Sequence, residues 1–180
     1  WLKKMILQIG ITSIFVTHDQ DEAVEVADEI IVTNKGRVEQ TGEPLEIYKN
    51  PATPFVAQFI GDSAVISNYD NISGFRRVEG MEKAIIRPEF VCVKKEKTGE
   101  VYENSYCTGI VKEVSFMGNC LKVDIDVNGL ILIANLSFDS GPVKTGDEVN
   151  LLVYRMYLFN DEKTLLLENE NLKENYMFYI

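Results

Sequence analysis

The sequence predicts two parts: an α/β segment over residues 1–61, then a small all-β barrel or sandwich over residues 62–180. Three observations carry this. A non-alternating run rich in β-branched and aromatic residues, Thr12-Ser13-Ile14-Phe15-Val16-Thr17, is followed at once by helix-start signals. Short β-prone runs separated by turn residues dominate everything after Gly61-Asp62. Among them, Asn128-Gly129 stands between two apolar runs, a strong hairpin signal.

In chain order, Trp1 to Gln8 reads as the end of a helix, stopped by Gly10. The run from Thr12 to Thr17 does not alternate, so it predicts a strand buried on both faces of a parallel sheet. His18 follows, then Asp19 as an N-cap with Glu22 three residues on, the pattern of a capping box. Ala23, Val26, Ala27 and Ile30 recur at helical spacing and predict a buried stripe. Glu29 to Thr33 and Arg37 to Gln40 flank Asn34-Lys35-Gly36, a hairpin in which Asn34 and Gly36 are expected to take positive φ. Pro44 opens a short helix through Tyr48, and Phe55 to Ile60 makes a last helical turn or two before Gly61.

Beyond Gly61 the predicted strands are Ala84–Arg87, Glu89–Lys94, Gly109–Phe116, Leu121–Val127, Leu130–Asn135 and Glu148–Tyr154. Val123, Ile125 and Val127 alternate with Asp124 and Asp126, giving one face to a core and one to water. The end, Glu168 to Ile180, is polar and then aromatic at Tyr176, Phe178 and Tyr179, fitting either docking onto a neighbour or fraying.

Net charge is −10, made of 5 basic and 9 acidic residues before position 62 and 13 basic and 19 acidic after it. Neither part offers the positive field that a nucleic-acid backbone needs, so no nucleic-acid partner is expected. No apolar run approaches the roughly 20 residues of a membrane-spanning helix, and the start shows no signal-peptide pattern. A soluble, cytosolic chain is expected. Cys92, Cys107 and Cys120 are widely spaced, and with one histidine in the chain they predict reduced thiols and no metal site. Asn71-Ile72-Ser73 and Asn135-Leu136-Ser137 fit the glycosylation pattern and are read as chance matches.

One segment carries chemistry. Thr17-His18-Asp19 stands where the expected buried strand meets a helix start, and ligands of open α/β sheets bind at such strand ends. A histidine there can offer a ring nitrogen to a phosphate oxygen, beside the partial positive charge of the helix. By position alone, a histidine that merely caps the strand and bonds to backbone fits as well.

Ile14-Phe15-Val16-Thr17-His18-Asp19-Gln20-Asp21-Glu22-Ala23 resembles the switch-histidine segment, or H-loop, of ABC-transporter ATPases. The THDQ.EA form is similar to the subfamily importing sugars, polyamines, iron and oxyanions. The likeness runs on through Val26-Ala27-Asp28, Asn34-Lys35-Gly36-Arg37-Val38, Gln40-Thr41-Gly42, Pro44 to Thr53 and Phe55 to Gly61. Ile86-Arg87-Pro88-Glu89 resembles the RPE segment of the appended transport-associated OB-type (TOBE) barrel, and Gly109–Val127 with Gly146–Val149 fit it more loosely.

The resemblance implies the α/β C-terminal remnant of an ABC nucleotide-binding domain over 1–61, then an OB-like TOBE barrel over 62–180. It implies an ATP-hydrolysing importer subunit, leaning to the sulfate/molybdate type, in which His18 senses the γ-phosphate. The cofactors would be ATP and Mg in the intact subunit. The partners would be a second copy, transmembrane permease subunits, and a regulatory protein or small oxyanion at the barrel. Its place would be cytoplasmic, peripheral to the inner face of the membrane. No G-x-x-x-x-G-K-[ST] occurs in the chain, and the glutamine loop, signature motif and Walker B strand are missing. The remainder is expected N-terminal to Trp1, and the chain alone is expected neither to hold ATP tightly nor to hydrolyse it. Val123-Asp124-Ile125-Asp126 reads as an amphipathic strand rather than a Walker B ending. An alternative reading makes the barrel a sulfate or molybdate sensor, with Arg87, Ser115, Asn119 and Lys122 as candidate anion ligands. A surface salt bridge is the commoner role for Arg87, and solvent-facing turn positions for the other three.

Overall fold

The computed structural model describes residues 1–61, 63–94, 105–160 and 163–172. The aromatic end at Tyr176, Phe178 and Tyr179 lies outside the described residues. The chain divides into two compact units, Trp1–Gly61 and Asp62–Ile180.

In the first unit, residues of good helix propensity (Leu2, Lys3, Lys4, Met5, Leu7 and Gln8) build most of α1 (Leu2–Ile9), and Gly10 ends it at φ 71. Then α2 (Gln20–Val26), β1 (Ile30–Asn34), β2 (Arg37–Gly42), α3 (Pro44–Lys49) and α4 (Pro54–Phe59) follow. Proline at the first helical position starts both α3 and α4. The core is Ile30, Val32, Ile47, Val56 and Ile60, with Ala23, Ala27, Phe55 and Phe59 packed on it. Alternation in β1 explains the split: Ile30 and Val32 face inward while Ile31 faces out.

Two expectations need correction here. Residues 11–17 form no strand, and Ile14 and Val16 are 94% and 97% exposed. A parallel strand is held by neighbours on its edges and helices on its faces. Among the described residues of this unit the one sheet is the β1–β2 hairpin, so no strand lies beside the segment. In that hairpin Asn34 still pairs with Arg37, and positive φ falls on Lys35 (48°) and Gly36 (77°). The two-residue turn matches strand twist only with both central residues left-handed, which moves the strain onto Lys35. Asn34 donates instead to Glu39 Oε1 at 3.1 Å.

Among the described residues of the second unit, the regular elements are β-strands and short 3₁₀ turns. Its strands are β3 (Ala64–Ile66), β4 (Lys83–Ile86), β5 (Val91–Lys94), β6 (Tyr106–Phe116), β7 (Leu121–Val127), β8 (Leu130–Leu136), β9 (Glu148–Val153), β10 (Arg155–Phe159) and β11 (Thr164–Glu168). They form an antiparallel four-stranded sheet in the order β11-β10-β4-β3 and an antiparallel five-stranded sheet in the order β5-β9-β6-β7-β8. The edge strands β5 and β8 of the larger sheet approach each other, so it curls into a half-barrel.

The long strand β6 makes this curl. Residues 106–110 pair with β9, residues 110–116 pair with β7, and the register slips between Val111 and Glu113. At the slip Lys112 is skipped in the β6–β7 pairing, while Val111 stays opposite Ile125 and bonds on its other side to the turn before β9: its N–H donates to Asp147 O at 3.0 Å and its O accepts from Gly146 N at 2.9 Å. Alternation in β7 is as expected, with Val123, Ile125 and Val127 buried. Asn128 (φ 53) and Gly129 (φ 85) close the β7–β8 hairpin, and Asp126 Oδ1 accepts from Gly129 N at 2.7 Å.

The strands β3, β10 and β11 were not expected. In β10, Met156, Tyr157, Leu158 and Phe159 are all buried, which leaves no alternation to read. At Tyr154 the chain passes directly from β9 of one sheet to β10 of the other, with Tyr154 N–H donating to Phe90 O at 2.9 Å.

Candidate functional site

The His18 turn is built by its neighbours. Asp19 is extended at φ −88, ψ 115, and its Oδ1 accepts from Asp21 N at 2.9 Å and Glu22 N at 3.1 Å, capping α2. The return arm differs from a simple capping box. Asp19 N–H donates to Thr17 Oγ1 at 2.9 Å, and Thr17 Oγ1 donates to Glu22 Oε2 at 3.2 Å. The threonine hydroxyl thus relays between the cap residue and the helix glutamate. Thr17 and Asp19 are pinned on either side, and the imidazole of His18 between them stands exposed.

The charge around this turn is negative. Residues 12–29 contain no Lys or Arg, and Asp19, Asp21 and Glu22 crowd the head of α2. The segment therefore offers one imidazole and no cationic cradle for a phosphate.

Gln20, which sequence reasoning passed over, belongs to the same turn. Its Oε1 accepts from Gly61 N at 2.7 Å, across 41 residues of chain. No local pattern announces such a contact, because its partner is a backbone group far along the sequence.

The four anion candidates are placed as follows. Ser115 on β6 pairs directly with Lys122 on β7, and Asn119 is exposed in the turn between these strands. Ser115 Oγ donates to Glu113 Oε1 at 3.3 Å, so a carboxylate already occupies the side an anion would approach. Arg87 is not with them, and the surface salt bridge expected of it is corrected by its burial at 0% exposure. Its guanidinium carbon lies 5.6 Å from the centroid of the Tyr157 ring, while Arg155 stands 4.6 Å from that of Phe90. Burial pushes the Tyr157 hydroxyl above its ordinary pKa, and the charges of Arg87 and Arg155 oppose that shift. The guanidinium of Arg87 is a core element, buried beside the Tyr157 ring after β4.

No protein-family model matches the chain. Among curated proteins, it is 36% identical over 176 residues to the sulfate/thiosulfate import ATP-binding protein CysA of Acinetobacter baylyi, covering 89% of this chain and 49% of that protein. It is 36% identical over 151 residues to the spermidine/putrescine import ATP-binding protein PotA of Bacillus thuringiensis, covering 82% of this chain and 42% of that protein. The chain is a homologue of import ATP-binding proteins. A shorter stretch of 72 residues reaches 57% identity with the sulfate/thiosulfate import ATP-binding protein CysA of Synechococcus elongatus, covering 40% of this chain and 21% of that protein. The chain spans about half the length of the curated relatives it matches. Among solved structures, the cytoplasmic molybdate-binding protein ModG with molybdate bound aligns at a TM-score of 0.36 and 13% identity, covering 47% of this chain and 59% of that one. A likeness that loose carries no argument.

Proposed function

We propose that the chain is part of the ATP-hydrolysing subunit of an ABC importer, and that His18 is the residue by which this part meets the γ-phosphate of ATP. The observation that carries the reading is the exposed His18 at the head of α2, between Thr17 and Asp19, which are themselves tied by hydrogen bonds. The relatives' names supply the class of ligand.

Phosphoryl transfer is governed mostly by positioning and by stabilising charge on the transferring group. An imidazole presented from a turn whose flanking residues are hydrogen-bonded suits that work, because the backbone that carries it is already set in place. With no Lys or Arg in residues 12–29, His18 alone does not hold a triphosphate. In this reading the phosphate cradle and the Mg ligands belong to residues outside this chain, and the 180 residues alone bind no cofactor. Bound ATP and Mg would supply the phosphoryl group and the charge neutralisation.

The remaining parts of the proposal follow the relatives. Residues 62–180 serve as a regulatory and dimerising TOBE domain. The subunit pairs with a second copy and with transmembrane permease subunits, and works at the cytoplasmic face of the membrane. No helix among the described residues is long and apolar enough to cross a membrane, which fits attachment through partners. Sulfate and polyamine importers are both represented among the relatives, so the transported solute stays open.

The test is His18→Ala in the complete subunit. Removing one stabilising donor from a transition state costs on the order of 10²–10³ in turnover. ATP turnover should fall by at least about a hundredfold, while equilibrium ATP binding changes only a few-fold, since the cradle lies elsewhere. Turnover within twofold of the unsubstituted subunit refutes the role of His18.

A further inference from the structure

We infer that Gln20 is a positioning residue that locks the His18 turn to the point where the chain leaves the first unit. Its functional meaning rests on the reading of His18 above, but the mechanical claim stands on the geometry. Gln20 is the first residue of α2, two positions after His18, and its Oε1 accepts from Gly61 N at 2.7 Å. Gly61 is the last residue of the unit and sits at φ 109, where a side chain is strained.

Both ends of this link are anchored. On one side Asp19 caps α2, and Ala23 and Ala27 pack on the core. On the other, α4 is capped by Thr53 Oγ1 accepting from Val56 N at 3.3 Å, and Thr53 Oγ1 donates to Glu39 Oε2 at 3.1 Å. Val56, Ala57 and Ile60 are buried, so the end of α4 cannot drift freely. A displacement of the His18 turn must therefore stretch the Gln20–Gly61 bond or carry Gly61 with it. Any ligand that favours one position of His18 biases the backbone at Gly61, and by reciprocity a change at Gly61 biases His18.

The chain's single histidine makes the test direct, because its two imidazole C–H signals are unique in an NMR spectrum. In the 180-residue chain, Gln20→Leu keeps the side-chain size and removes the acceptor. It should speed exchange of the Gly61 amide by about twofold to tenfold, the range set by the net worth of one hydrogen bond, and shift the His18 signals. Gln20→Glu keeps an oxygen at the same place and should restore both readings towards the original. From the far end, Gly61→Ala should also move the His18 signals, 43 residues away, and adding Gln20→Leu to it should move them no further. Should Gln20→Leu fail to fold, Gln20→Asn, one methylene too short to reach, gives the same readings. His18 signals unmoved by Gly61→Ala, or Gly61 exchange unchanged in Gln20→Leu, overturn the inference. No nucleotide enters these measurements, so their failure is distinct from failure of the phosphate role at His18.

Discussion

Replacing Gly109 by alanine probes the bend that gives the second unit its curled sheet. Gly109 lies on β6, paired with Val149 of β9, one residue before the strand changes partner to β7. A Cβ built there would stand 2.7 Å from Ile125 Cγ2, 2.9 Å from Asp126 O and 2.9 Å from Val127 Cγ2. Carbon contacts are comfortable at about 3.5–4.0 Å, so all three atoms are too close. Two are methyls branched at Cβ, which cannot swing away without a rotamer change. The third is backbone, held by the pairing of Asp126 with Ile131 on β8. The strands β6 and β7 must separate, and overpacking of this kind costs about 1–3 kcal/mol. Alanine loses less unfolded-state freedom than glycine, which returns about 0.4–1 kcal/mol. A net loss of about 1–2 kcal/mol should lower the thermal midpoint of the second unit by roughly 4–8 °C. Tyrosine absorbance reads this unit, since only Tyr48 of the eight tyrosines precedes residue 62. A midpoint unchanged or raised would refute the close approach of β6 to β7.

Two further outcomes follow from the same unit. Asn169 is 1% exposed; its Nδ2 donates to Ser73 O at 3.0 Å and Val153 O at 2.8 Å, and its Oδ1 accepts from Asn171 N at 3.0 Å. Asn169→Leu strips those groups of a partner at about 1–3 kcal/mol for each buried one, so urea unfolding should show a loss of at least about 2 kcal/mol, and a loss under about 0.5 kcal/mol counts against the clasp. Burial pushes the Cys107 thiol above its ordinary pKa, partly offset by the N–H of Ser73 donating to its Sγ at 3.1 Å. The folded chain therefore holds this proton more tightly than the unfolded one. The stabilisation is full below the unfolded-state pKa of about 8.5 and is lost as pH rises through the higher folded value. The urea midpoint of the original chain should fall more steeply above about pH 9 than that of Cys107→Ala, and parallel pH curves would remove Cys107 as the cause.

Much of the second unit was legible because its signals are local. The alternation of Val123, Ile125 and Val127 needs only a strand with one wet face, and Asn128-Gly129 needs only a turn that demands left-handed residues. Tyr157 and its neighbours in β10 carry no such mark, because a strand covered on both faces looks like any other apolar run. The segment from Thr12 to Thr17 shows the reverse case: its composition reads as a buried strand, while the unit contains no partner strand for it.

The sequence by itself determined the turns, caps and amphipathic faces, and it singled out His18 through the residues around it. Those features depend on groups within a few positions of one another. Tertiary structure alone decided that Arg87 is buried over Tyr157, that Gly109 is pressed against β7, and that Gln20 reaches Gly61. Each of these joins groups that are remote in the chain, and only packing sets such distances.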